Sequence, residues 1–494
     1  MKRNDYLILA GTLSYSFLFY HQWPGINFPL FTVIYASLLL ISNPLLAKSP
    51  KWWSLALLCL FSSLSVCLHR QSVSVIASVV SWLLLSGASV NTASSFILSI
   101  LYSGFTFILM PVDMVNRITH RLDSRETRQK SVRLYTLLSA IIVVVFSIIF
   151  FMLYRDANPM FAENTRWVNL DFISFEWLIF TAGGFFAVYG LIRQRRVNQI
   201  GEVIDALTNR TSPLKELSEV RLEAEANTGI ILFMLLNLML AVLNAGDAYT
   251  IFFNGSLPEG VTHSDFVHRG VGNVIMSIIL ATVFILVIYR YHFPSEGKRK
   301  WLTPLVYVWI VQNGLLLFST SWRNWVYISE YNLTYKRIGV YVWLFLAMAG
   351  LCIVCVKLYR RYNNWYLIRT NFVVWILALC ASSAVNWDVM ITRFNLGNQP
   401  PEKVDYFYLL SLSEKNLSEL IQAANAKTFE NMNGKSAHEY QQYYGKSYRQ
   451  DYRRLLNEKI ARFKYEYVDS WPSWSLSDDR ILRSLKEYNM NSKN

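Results

Sequence analysis

A dozen apolar stretches run from Tyr6 to about Trp387, and beyond them the apolar pattern stops. A bilayer admits only backbones whose polar groups are satisfied internally, so stretches of this length are read as membrane-spanning helices. The expected fold is all-α: a polytopic membrane bundle of about 11–12 transmembrane helices over residues 1–388, followed by a small soluble helical domain over 389–494.

Composition supports the division. Hydrophobic residues make up 53% of the chain and charged residues only 16%, against roughly 25% charged in soluble domains. The net charge of +14 would suit nucleic acid, but many Lys and Arg cluster in short segments between apolar runs. That placement is the positive-inside pattern, so the expected partner is the lipid bilayer and no nucleic acid. All five cysteines lie in apolar stretches; Cys352 and Cys355, although spaced C-x-x-C, read as packing residues. The basic, then apolar, N-terminus lacks a small-residue cleavage site and is read as a first membrane helix.

The spans fall near 6–20, 27–46, 52–69, 72–90, 93–115, 133–154, 172–192, 228–252, 268–290, 303–320, 336–358 and 371–387. Arg117, Arg121, Arg125, Arg128, Lys130 and Arg133 mark one cytoplasmic loop; Arg193–Arg196, Lys298–Lys300 and Lys357–Arg369 mark three more. This order places the tail outside the cytoplasm. Lys2, Arg3, Lys48 and Lys51 favour a cytoplasmic N-terminus. That parity predicts eleven crossings, with the polar-starting segment 93–115 (Gly104, Pro111) re-entrant or interfacial; twelve with an external N-terminus is the alternative. The expected location is the inner membrane, multi-pass. Ser212-Pro213, followed by Glu216, Glu219, Glu223 and Glu225, predicts a short cytoplasmic amphipathic helix, a connector or a docking site for a protein partner.

Polar groups inside spans are costly and therefore pair or face a cavity. Asn237, Asn244 and Asp247 share one face of the eighth stretch; His268, Arg269 and Asn273 open the ninth; Gln312 and Asn313 lie in the tenth. The sharpest pattern is Arg323, Tyr327, Glu330, Thr334 and Arg337, whose steps of four and three form one polar stripe on a helix. Asp247, Glu330 and Asp388 are the expected acidic partners. The stripe is either a structural ion-pair network or an outward-facing cleft for an anionic group, since a guanidinium donates two parallel hydrogen bonds. His263, Asp265 and His268 fit no metal-ligand spacing, and no nucleotide-binding or hydrolase motif is present. No metal or other cofactor is expected.

In the tail, Val404–Leu412, Leu417–Ala424, Ser436 to about Tyr467 and Ser477–Leu485 read as helices. Tyr440, Tyr443, Tyr444, Tyr448 and Tyr452 line one side of the long one as a packing face.

Four stretches resemble an uncharacterised family of bacterial polytopic membrane proteins. These are Phe19-Tyr20 with Pro24-Gly25-Ile26 and Phe28-Pro29-Leu30; Ser319 to Arg323, Tyr327 and Tyr331-Asn332-Leu333-Thr334 to Arg337; Asn386-Trp387-Asp388 with Ile391, Arg393, Asn395 and Leu396; and Asp405-Tyr406 with Leu409–Ser413. Asn332 stands where a tight turn would favour glycine. The resemblance implies a multi-span inner-membrane protein and no activity. The leading expectation is a non-enzymatic membrane protein acting in envelope sensing, regulation or assembly through its external helices. A transporter of a small or amphiphilic anion, using Arg323–Arg337 and Asp247, is the second. A glycosyl- or acyl-transferase with a lipid-linked donor is the third, weakened because His21-Gln22-Trp23-Pro24-Gly25 holds no acid.

Overall fold

In the computed structural model, residues 3–123 (93 aside), 158–165, 174–193, 219–252, 263–289, 296–425 and 448–491 are described, with scattered positions between 143 and 157. Among them the chain is helical and contains no strand. The helices are α1 (Arg3–Phe19), α2 (Asn27–Ser42), α3 (Pro50–His69), α4 (Ser72–Ala88), α5 (Phe96–Asp123), α6 (Pro159–Asn164), α7 (Phe175–Ile192), α8 (Glu219–Phe252), α9 (His263–Ile288) and α10 (Glu296–Tyr331). They continue with α11 (Tyr335–Arg360), α12 (Asn364–Ser383), α13 (Trp387–Asn398), α14 (Tyr406–Ser411), α15 (Leu417–Asn425), α16 (Tyr448–Glu466) and α17 (Leu476–Asn491). Five of these contain segments long and apolar enough to cross a membrane: Pro50–His69, Glu223–Ile251, Lys300–Tyr331, Tyr335–Arg360 and Asn364–Ser383; five further apolar helices are shorter. Most of the expected span at 133–154, the Ser212-Pro213 helix start and Tyr440–Tyr444 lie outside the described residues.

Helix ends are set by local chemistry. Ser49, Ser174, Asn363 and Asn386 each accept a hydrogen bond from a backbone N–H of the following first turn, satisfying donors a helix start leaves open. At the other end, α3 and α11 close on Arg70 and Arg361 in the left-handed region, at φ 50° and 56°.

The chain forms two compact units. The first comprises Met1–Gly201 together with Val468–Ser475. Its core is aromatic: Phe28 stacks on Trp82 at 5.3 Å, and the Trp82 indole N–H donates to Thr32 at 2.8 Å. Its helix contacts are lined by small polar residues, as in membrane bundles where close backbone approach replaces the hydrophobic drive. Ser62 bonds Ser81, and Ser103 donates to the Leu83 carbonyl at 2.6 Å. Gly87 is required here, because a Cβ would stand 1.8 Å from the Ser99 carbonyl oxygen. Successive α5 residues thus meet descending positions of α4, and Phe107 packs over Gly190 of α7. From Phe96 the segment is one unbroken helix through Gly104 and Pro111, packed antiparallel along α4, without the break that a re-entrant loop requires.

The second unit comprises Glu202–Tyr467 and Leu476–Asn494. Phe233, Leu302, Val306, Trp309 and Val354 belong to the core of its long helices. A second core joins Ile328, Leu333 and Ile338, around the α10–α11 turn, to Ile391, Leu409, Leu420, Leu456 and Ile481 of the C-terminal helices. The packing of this unit therefore runs on across residue 388.

Candidate functional site

The helices that carry the polar residues are placed by connectivity. Among the described residues one helix, α9, lies between α8 and α10 in the chain, and α8 and α10 run parallel. Their contacts advance together: Asn237 Nδ2 donates to the Leu305 carbonyl at 2.9 Å, and Asn244 Nδ2 to the Gln312 carbonyl at 3.1 Å. Gln312 Nε2 closes back on Asn237 Oδ1 at 3.0 Å. Positions 237 and 244, like 305, 312 and 319, are seven apart. That is the spacing of a parallel coiled coil, in which polar core residues fix register.

The lane ends in a charge pair. Arg323 Nη2 lies 2.9 Å from Asp247 Oδ2, with the two side chains 19% and 13% exposed. The same nitrogen lies 3.3 Å from both Ser319 Oγ and Thr320 Oγ1, and the Ser319 hydroxyl also donates to Asp247. The guanidinium is thus held by a carboxylate and two hydroxyls of its own bundle.

The stripe does not run on from there along one helix. α10 stops at Tyr331, and Asn332 adopts φ 72°, a left-handed turn that Asn tolerates better than other non-glycine residues. The turn is tight without glycine. Its side chain is used as well: Asn332 Nδ2 donates to the Lys403 carbonyl at 2.8 Å. Arg337, buried, reaches back to donate to the carbonyls of Tyr331 and Asn332. Its guanidinium carbon lies 4.1 Å from the Tyr327 ring centroid, a cation–π contact. Asn395 of α13 grips the turn at two points, accepting from Leu333 N–H at 2.7 Å and donating to the Leu333 carbonyl at 3.0 Å. Thr334 precedes α11 but makes no side-chain capping bond, and Glu330 points outward to Lys403 at 3.8 Å.

The acidic partners also differ from expectation. Asp388, 3% exposed, pairs with no arginine among the described residues. It accepts from Tyr335 Oη at 2.7 Å and from Ser413. Asn386 caps α13 through Val389 N–H at 3.3 Å. Arg393 binds Glu419 Oε1 through Nε at 3.1 Å and Nη2 at 2.8 Å. The side chains of His263, Asp265, His268 and Arg269 lie outside those described. No group of three or more metal-ligating side chains occurs among the described residues.

Sequence reasoning missed Lys459. It is 7% exposed, and its ammonium donates to the carbonyls of Leu410 and Leu412 and to Asn416 Oδ1 at 3.1, 2.9 and 3.0 Å. Burial pushes it down to about 8, against the opposing pull of Glu414 and Asp388. Three acceptors match its three N–H donors and keep it charged at neutral pH. Burial likewise pushes the Tyr408 phenol up, keeping the hydroxyl that accepts from Tyr335 N–H neutral. The signal for Lys459 was available: Tyr452, Leu456, Lys459 and Phe463 advance by four, three and four, one buried helical face.

Residues 7–423 match the family model described as a domain of unknown function, DUF4153, and the chain belongs to that family. No curated protein and no solved structure matches it.

Proposed function

We propose that this DUF4153 protein is a non-catalytic, multi-pass inner-membrane protein that works in envelope sensing, regulation or assembly, presenting its C-terminal helices outside the cytoplasm to a protein partner. One observation carries the reading: the charged groups of the polar cluster on α8, α10, α11 and α13 are answered from within. Arg323 is held by Asp247, Arg337 by the carbonyls of its own turn, Asp388 by Tyr335 and Ser413, and Arg393 by Glu419. A binding cleft for an anion keeps its donors available until the ligand arrives. Here the donors already serve to join helix ends, the use expected of a joint between a membrane bundle and a helical domain that engages something else.

The test uses the full-length chain. A photo-crosslinking residue at Tyr465, 91% exposed, should capture a defined protein partner in native membranes. Proteoliposomes of the purified chain should carry no anion flux that depends on Arg323 and turn over no lipid-linked donor. Flux abolished by Arg323→Ala in a folded protein would overturn the reading in favour of transport; turnover of a lipid donor would overturn it in favour of an enzyme.

A further inference from the structure

The first unit contains a segment from the far end of the chain. Residues 468–475 include a short 3-10 turn, Trp471–Ser473, which lies against the turn between α1 and α2. Ser473 Oγ accepts from Trp23 N–H at 2.9 Å and donates to Gln22 Oε1 at 2.8 Å; Ile26 N–H donates to the Trp474 carbonyl at 2.9 Å. The fit is close. A Cβ on Gly25 would stand 2.6 Å from the Trp474 oxygen. Pro472 and Ser473 are buried in this contact, whereas Trp471 and Trp474 remain 55% and 43% exposed.

What those indoles face follows from α1. Its exposed apolar residues Tyr6, Leu9, Leu13 and Phe17 step by three, four and four, a single face open along the helix. On a helix of a membrane bundle such a face meets lipid. Phe17, at its end, meets Trp471 with ring centroids 6.0 Å apart. Beside the same turn, Arg70 lies 5.3 Å from the centroid of the half-exposed Trp23 ring. A lipid-facing stripe therefore runs into a cluster of tryptophans with a basic residue, the composition that marks headgroup depth. Indole suits that depth because its body is apolar and its N–H polar.

We infer that Trp471-Pro472-Ser473-Trp474 is a membrane anchor seated at the phospholipid headgroup level against the α1–α2 turn. Its occupant is the bilayer interface. It seats residues 468–475 at one depth of the membrane, without a further crossing.

The test is depth by spin labelling of the full chain in phospholipid nanodiscs, with Cys352 and Cys355 replaced by Ser. Labels are placed one at a time through Trp471→Cys, Asp469→Cys and Tyr465→Cys. Asp469 is exposed and two residues from the indole, so its label leaves all the aromatics in place. Anchoring predicts that labels at 469 and 471 collide several-fold less with a water-soluble nickel chelate than the label at 465, while oxygen collisions stay high. Nickel accessibility at 469 equal to that at 465 overturns the anchor, whatever the 471 label reports. So does low accessibility to both reagents at 469, which means burial in protein.

Discussion

Asn332 and Lys459 each place a polar side chain where its neighbours leave little choice. At φ 72°, Asn332→Gly keeps the turn but loses the bond to the Lys403 carbonyl, a loss of about 1 kcal/mol. Asn332→Val adds the left-handed penalty of roughly 1–2 kcal/mol. Thermal unfolding in detergent should rank the wild type above Gly and Gly above Val. Lys459 makes a pH prediction. Its folded value, about 8, lies below the ordinary 10.5, so between those values the unfolded chain binds more protons and stability rises with pH. The penalty of holding the charge is complete below 8 and gone above 10.5, at most about 3 kcal/mol. Unfolding followed from pH 7 to 10.5 should show this rise, and Lys459→Met should remove it. At this scale sequence reading reached only part of the site. Spacing on α8 put Asp247 on a polar face, but Arg337 is spent on its own turn, leaving Asp388 to Tyr335 and Ser413. Spacing cannot register which donors local carbonyls have already taken.

Between elements, the governing fact is close approach. α4 and α5 cross at Gly87, where no side chain fits beside the Ser99 carbonyl. Gly87→Ala must part the helices and break the Ser103–Leu83 bond, so membrane yield and thermal stability should both fall. Gly104→Ala, on the neighbouring α5 with nothing within 4 Å of its Cβ position, should leave both unchanged. Helix existence was legible because apolar runs of this length admit little else. The nature of 93–115 was not: its polar start and Pro111 suggested a break, yet serines there bond helix carbonyls and α5 runs on unbroken. Nor was the stripe from Arg323 to Arg337 one element, because Asn332 takes the turn that a periodic reading carries straight through.

For the whole molecule, membrane character follows from apolar length alone, and the family match agrees with the breadth of the resemblance. The docking of residues 468–475 in the first unit was beyond reach, since the partners lie about 450 positions apart and are matched by shape and backbone hydrogen bonds rather than by pattern. The central claim is that the α8–α10 seam is a lock. Its most direct test is a double-mutant cycle on thermal unfolding of the full chain with Asp247→Ala, Arg323→Ala, both together, and the exchanged pair Asp247→Arg with Arg323→Asp. A lock predicts that each single change costs about 3–5 kcal/mol, that the double costs far less than their sum, and that the exchanged pair recovers much of the loss. Single changes that leave stability within about 0.5 kcal/mol of the wild type would contradict it.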